Sequence, residues 1–465
     1  MWTTAQLRRL TETPYADALD RQAGAGIANF HALPIGSLAH APDGETSAHA
    51  EQARRLFGPR MLAAELTLGS PELDSYFRAH RSLARSRRLS AEAFGAADTH
   101  YVTTGTTGAN QIALEALRSG TARVLVDRSM HQSIHFALDR LAATVNYAPT
   151  AADTAEHGVI TALRQARAAD LRYDVVVIGV SAYDGSLVQM RRFLHALHEL
   201  TADTGIAVLV DEAWTAIHSF HPAMRRNAAV ACVREALEDH PDWSASFLVT
   251  QSAHKSMLAL RQGSYVHLLA SPDRLPQLRA DVGAALYRVH TTSPSLPILA
   301  SLDLARAHAV AEGETLVERA LTLSARLREV ARRVPGVAVH EPVPTAGGAH
   351  SAYLADPMKV HLDFGSPERA QAVRRELYDE YGVYVSRQDG PTLLFTVHVG
   401  VTPAQLDTLV EALETLCCAE VPGGAACSDG RYIIAYPPGI PLQVPGEHLP
   451  ALPVQQIGEE LYSTF

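Results

Sequence analysis

Phe247-Leu248-Val249-Thr250-Gln251-Ser252-Ala253-His254-Lys255-Ser256 is an apolar run that ends in small hydroxyls, a histidine and a lysine. It reads as a buried strand whose polar end carries Lys255. Lysine is scarce in this chain: Lys255 and Lys359 are its only lysines among 40 basic residues, the others being arginine. Arginine serves surface charge equally well, but its guanidinium stays protonated and forms no Schiff base. A lysine kept at a strand end therefore points to amine chemistry. The plain alternative is a leftover surface lysine, and the segments around it decide between the two.

Working outward, five more β-rich runs alternate with helical patterns: Tyr101-Val102-Thr103, Val124-Leu125-Val126, Val175-Val176-Val177-Ile178, Ala207-Val208-Leu209-Val210 and Tyr265-Val266-His267-Leu268-Leu269. Helical periodicity fills 109–119, 188–204 and 223–238. Near-continuous apolar strands separated by helices predict an α/β fold, a mostly parallel sheet covered on both faces. The chain divides into an N-terminal arm over 1–60, a large domain over 61–300 and a smaller α+β domain over 301–465. A long helix over 302–334 leads into the last, with strands near 360–364 and 393–399 and helices near 367–381 and 403–419. The 422–430 stretch reads as a loop, and the prolines of Tyr436-Pro437-Pro438-Gly439-Ile440-Pro441 exclude a regular helix there.

Composition bounds the partners. The 465 residues are 47% apolar with a net charge of -10, which disfavours nucleic acid. Cys232, Cys417, Cys418 and Cys427 form no metal-binding spacing and read as free thiols. No leader pattern and no membrane-length apolar run occurs, so a cytoplasmic protein without a membrane partner is expected.

Polar residues gather at the strand ends. Gly105-Thr106-Thr107-Gly108 follows a strand and opens a helix, where free N–H groups and hydroxyls suit an anion. Asp211 closes the run 207–210, in Asp211-Glu212-Ala213-Trp214. An acid there would keep a pyridinium nitrogen protonated, as pyridoxal phosphate (PLP) requires. His131, in Asp127-Arg128-Ser129-Met130-His131-Gln132-Ser133, could stack on such a ring. His131 and His135 also have helical metal spacing, but no third ligand completes a motif, so no metal is expected. Ser181-Ala182-Tyr183-Asp184-Gly185 adds a fourth polar strand end. Each feature alone has an ordinary reading as a cap or turn; four at one sheet edge need four coincidences.

Together with Thr13-Pro14-Tyr15, Ala91-Glu92-Ala93-Phe94-Gly95-Ala96, Thr292-Ser293-Pro294-Ser295 and the terminal YPPGIPLQVPGE, these motifs resemble the ornithine/lysine/arginine decarboxylase family over nearly the whole chain. The resemblance implies a fold-type I, aspartate aminotransferase-like large domain and a PLP cofactor. It implies that Lys255 is the Schiff-base lysine, with His131 on the ring and Asp211 on the pyridinium. Gly105, Thr106, Thr107, Ser181, Ala213, Trp214, Ser252 and His254 would line the cofactor, His254 joining Lys255 in proton transfer. Thr292 or Ser293 would reach it from a neighbouring subunit, making a homodimer with shared active sites. A counterpart of the N-terminal wing domain of the long members is not expected, nor a decamer built on it.

Departures fall on substrate choice. Phe30-His31 is followed by Ala32-Leu33-Pro34-Ile35-Gly36 where the family shows Pro-Gly-His-Lys. Gln132 stands for a lysine and Ala182 for a threonine. Val385-Ser386-Arg387-Gln388-Asp389-Gly390 lacks a glutamate, so Arg387 and Asp389 become candidate substrate contacts, Arg387 for a carboxylate. The leading expectation is decarboxylation of a basic amino acid. The alternatives are a repurposed PLP enzyme (an aminotransferase, an oxidative deaminase or a carbon–carbon bond-forming enzyme) and a decarboxylase-like protein that only binds.

Overall fold

The computed structural model describes residues 2–28, 30–42, 47–67, 72–117, 122–141, 143–148, 156–340 and 351–418. The 422–430 loop, Cys427 and the 436–447 segment lie outside the described residues. The chain forms two compact units: 1–128, 137–181 and 188–317 make the first, and 129–136, 182–187 and 318–465 the second.

The first unit is built on a seven-stranded sheet. Its strands are β1 (Asp98–Val102), β2 (Arg123–Asp127), β3 (Thr144–Ala148), β4 (Val175–Gly179), β6 (Ile206–Asp211), β7 (Ala245–Gln251) and β8 (Ser264–Ala270), in the order β1-β8-β7-β6-β4-β2-β3; the short β5 (Ser186–Val188) stands outside it. β3, β2, β4, β6 and β7 run parallel, and β8 is antiparallel to both its neighbours. Every residue of β7 is buried, as expected for a strand covered on both faces. All six runs expected as strands lie in this sheet. The sequence reading missed β3, because Thr144-Val145-Asn146-Tyr147-Ala148 alternates in exposure at the sheet edge rather than forming an apolar run. The helix expected over 223–238 is two, Pro222–Arg225 and Ala229–Asp239.

The arm docks by saturating a buried acid. Asp303, fully buried on the 36-residue helix Leu296–Ala331, accepts the backbone N–H groups of Tyr15 and Ala16 at 2.8 and 3.2 Å and the Ser86 hydroxyl at 2.6 Å. It also pairs with buried Arg306, which donates to the carbonyls of Leu10 and Glu12. Asp74 works similarly: its carboxylate accepts backbone N–H groups of His80, Arg81, Leu83 and Ala84, capping helix Ser82–Phe94.

The second unit holds β9 (Ala338–His340), β10 (Tyr353–Ala355), β11 (Lys359–Asp363), β12 (Arg387–Asp389) and β13 (Thr392–Thr396). Four of these form an antiparallel sheet, β12-β13-β11-β9, and β10 pairs with β5. Helices Pro367–Asp379 and Pro403–Cys418 supply its other layer, around a core that includes Val360, Leu362, Phe364, Leu377, Leu393 and Leu413. This is the α+β character read from the sequence. No helix among the described residues is long and apolar enough to cross a membrane.

Asp303→Ala strands the Arg306 guanidinium in the core and frees two backbone donors of the arm. A loss of about 3–5 kcal/mol is expected, read by denaturant unfolding, with earlier proteolytic cleavage of the arm.

Candidate active site

The residues of the first unit collect where β6 and β7 end. These strands pair in parallel with Asp211 opposite Thr250, so the acid and the Ser252–Lys255 segment leave the sheet at the same edge. Asp211 is buried and held from two sides. Its Oδ2 accepts from Asn110 Nδ2 at 2.9 Å, and its Oδ1 from the Ala213 N–H at 3.0 Å. Asn110 is fixed in turn by the Thr250 hydroxyl, which donates to its Oδ1 at 2.7 Å. Asn110 lies two residues beyond Gly108, and only the folded chain reveals that it grips Asp211.

Lys255 sits on a single helical turn, Ala253–Ser256, after β7. Its Nζ lies 4.0 Å from the centroid of the Trp214 ring, and Trp214 is itself tethered by its N–H to Ser181 Oγ at 3.2 Å. Burial lowers the amine's pKa, and the charge of Asp211 opposes that shift. The amine is therefore more readily neutral, and so nucleophilic, than a free lysine. His254 Nδ1 lies 3.2 Å from both the Gly263 carbonyl and Ser252 Oγ. A carbonyl only accepts, so the proton of the neutral ring sits on Nδ1. Burial lowers this histidine's pKa as well.

Helix Gly105–Leu117 opens beside β8: the Gly105 N–H donates to the Gln262 carbonyl, and Thr106 Oγ1 lies 3.0 Å from Ser264 Oγ. Gly105 has φ +71° with open space where a Cβ would stand. At Gly108 a Cβ would lie 1.9 Å from Thr104 Oγ1, so the helix start closes only over glycine. Thr107 is exposed. Thr292 and Ser293 lie on an exposed loop before helix Leu296–Ala331, and among the described residues no hydrogen bond joins them to the Lys255 cluster.

His131, Arg387 and Asp389 belong to the second unit. His131 Nδ1 accepts the Ser133 N–H at 3.2 Å and lies 2.9 Å from Ser133 Oγ. The proton of its neutral ring is thus on Nε2. Arg387 is half-buried, 5.8 Å from the Tyr183 ring centroid and 3.7 Å from the exposed Asp389. Its Nε has no hydrogen-bond partner among the described residues. Lys359, the second lysine, is buried and donates to the Tyr183 carbonyl at 3.3 Å and to Thr396 Oγ1 at 3.2 Å.

Known proteins are similar to this chain over most of its length. The family model for the major domain of Orn/Lys/Arg decarboxylases matches residues 42–346. An arginine decarboxylase of Halalkalibacterium halodurans is 26% identical over 451 residues, 88% of this chain and 87% of that protein. One of Bacillus subtilis is 25% identical, over 94% of this chain and 91% of that protein. The structure of lysine decarboxylase A from Pseudomonas aeruginosa matches 87% of this chain with a TM-score of 0.72 at 23% identity, which speaks for the fold. This chain spans only 60% of that solved chain.

Two titrations follow. Amine-directed labelling read by peptide mass spectrometry should modify Lys255 with a midpoint below the usual 10.5, while buried Lys359 labels only on unfolding. Burial raises the Glu212 pKa from 4.5 to about 7. A raised folded-state pKa adds stability that is fully present below pH 4.5 and lost as pH rises through about 7. Thermal unfolding across that window should show the loss, and Glu212→Gln should flatten it.

Proposed function

The chain belongs to the Orn/Lys/Arg decarboxylase family, and from that membership we propose that it is a PLP-dependent decarboxylase of a basic amino acid. The observation that carries the reading is the pairing of β6 with β7, which sets a gripped, buried carboxylate beside a lysine of lowered pKa.

The donor set fits PLP. Asp211, its oxygens already oriented by Asn110 and Ala213, is suited to hold a proton on a pyridine nitrogen. The helix start at Gly105–Thr107 and the buried Ser252 hydroxyl would take the phosphate. His131, pinned through Nδ1, would present its ring face to the cofactor. When bound, PLP supplies an electron sink for the bond that breaks at the substrate's α-carbon.

The protein's own part is orientation and proton movement. Lys255 Nζ, neutral at lower pH than a free lysine, would hold the cofactor through its aldehyde. Lys255, with His254 beside it in the chain, would return a proton to the substrate's α-carbon. Thr292 and Ser293, exposed on their loop, would complete the site of a second copy in a homodimer. The names of the relatives support a basic substrate.

The unpartnered Nε of Arg387 favours a second reading on the same residues, in which Arg387 binds a carboxylate that is kept, as in an aminotransferase.

Mass-spectrometric product analysis with lysine, ornithine and arginine, in air and without oxygen, decides. The expected outcome is an amine lighter by CO₂, independent of oxygen, abolished in Lys255→Ala and reduced about 10²-fold or more in Asp211→Asn. Keto acids, oxygen-dependent products or no turnover would overturn the decarboxylase reading.

A further inference from the structure

Glu212 follows Asp211 directly and takes no part in the chemistry above, yet it is 1% exposed. Its Oε1 accepts the Ala229 N–H at 2.9 Å, at the start of helix Ala229–Asp239. Its Oε2 accepts from Gln251 Nε2 at 2.7 Å. Gln251, the last residue of β7, is fully buried. The other end of its amide meets His267 Nε2 on β8 at 3.0 Å, and His267 Nδ1 meets Thr99 Oγ1 on β1 at 2.8 Å.

These four side chains cross four adjacent strands, β6, β7, β8 and β1, without leaving the interior. Their donor directions are fixed by one end. Once ionised, above about pH 7, Glu212 only accepts, so the Gln251 amide NH₂ faces it and Gln251 Oε1 faces His267. His267 then carries its proton on Nε2 and accepts the Thr99 hydroxyl on Nδ1. A buried polar chain with every partner matched specifies one arrangement and resists any other.

The link between Glu212 and Gln251 joins the residue after Asp211 to the residue four before Lys255. We propose that Glu212 is a positioning residue for the reactive pair: through Gln251 it ties the ends of β6 and β7 and sets the Lys255 amine against Asp211. Thr99 and His267 back the tie from the far side of the sheet.

Among the described residues Asp211 and Cys232 interact with this carboxyl, and His267 lies beyond Gln251. Asp211 opposes its ionisation. Burial pushes the Cys232 thiol up to about 12 and His267 down to about 3, so both stay neutral near pH 7. Glu212 itself titrates there, held up by burial.

The inference rests on Lys255 and Asp211 being the reactive pair, but its test needs neither cofactor nor turnover, so its failure is distinct from failure of the decarboxylase reading. The probe is the pH midpoint of Lys255 labelling in the full chain without cofactor. Q251E alone sets two carboxyl groups face to face, and E212Q alone keeps the tie only if the Gln251 amide and the His267 tautomer both reverse. The exchange E212Q/Q251E restores every bond: the amide oxygen at 212 takes the Ala229 N–H, its NH₂ donates to the carboxylate at 251, and that carboxylate accepts from His267.

The expected result is a shift of about one pH unit in each single variant, a tenfold change in labelling rate at fixed pH, with the exchange within about twofold of the parent chain. Single variants that lose thermal stability but keep the midpoint would reduce Glu212 to a structural role and overturn the proposal, as would an exchange that fails to restore it. Should a single variant not fold, the exchange alone decides: it must fold and keep the parental midpoint.

Discussion

A parallel sheet brings the C-terminal ends of its strands to one edge, and the whole candidate site depends on that constraint. β4, β6 and β7 run side by side in the same direction. Ser181 follows the first, Asp211 ends the second and Ser252–Lys255 follow the third. No loop has to reach far to assemble them. The strands are apolar over most of their length, and the polar groups begin where the sheet stops. The core fixes backbone positions, and the edge inherits them.

This explains what could be read beforehand. Lys255, Asp211 and the Gly105 turn announce themselves locally, because each is a polar residue at the end of an apolar run. The six expected strands did the same. Asn110 and the partners of Glu212 did not. Asn110 and Asp211 are 101 positions apart, and Thr99 and His267 are 168 apart. Their meeting follows from the strand order, in which β1 lies beside β8, and no local pattern encodes that order. β3 escaped for the opposite reason: its alternating exposure gave too weak a pattern.

The buried carboxylates among the described residues of the first unit follow one rule. Asp74, Asp211, Glu212 and Asp303 all accept backbone N–H groups. A carboxylate satisfied this way needs no cation, and it fixes chain segments that otherwise have little apolar surface to bury. Where a cation is present, as in Arg306, it also donates to carbonyls of the same arm. Specificity of docking thus comes from acids gripping main chain rather than from surface ion pairs, which contribute little.

The two lysines give the molecule an unusual chemical exterior. One is buried and the other is half-buried at the sheet edge. Sugars, aldehydes and isopeptide-forming enzymes all attack side-chain amines, and arginine offers them none. Sugar addition to side-chain amines and conjugation through lysine therefore find no fully exposed lysine on this protein. An aldehyde that diffuses onto it meets no competing side-chain amine before it arrives where β7 ends.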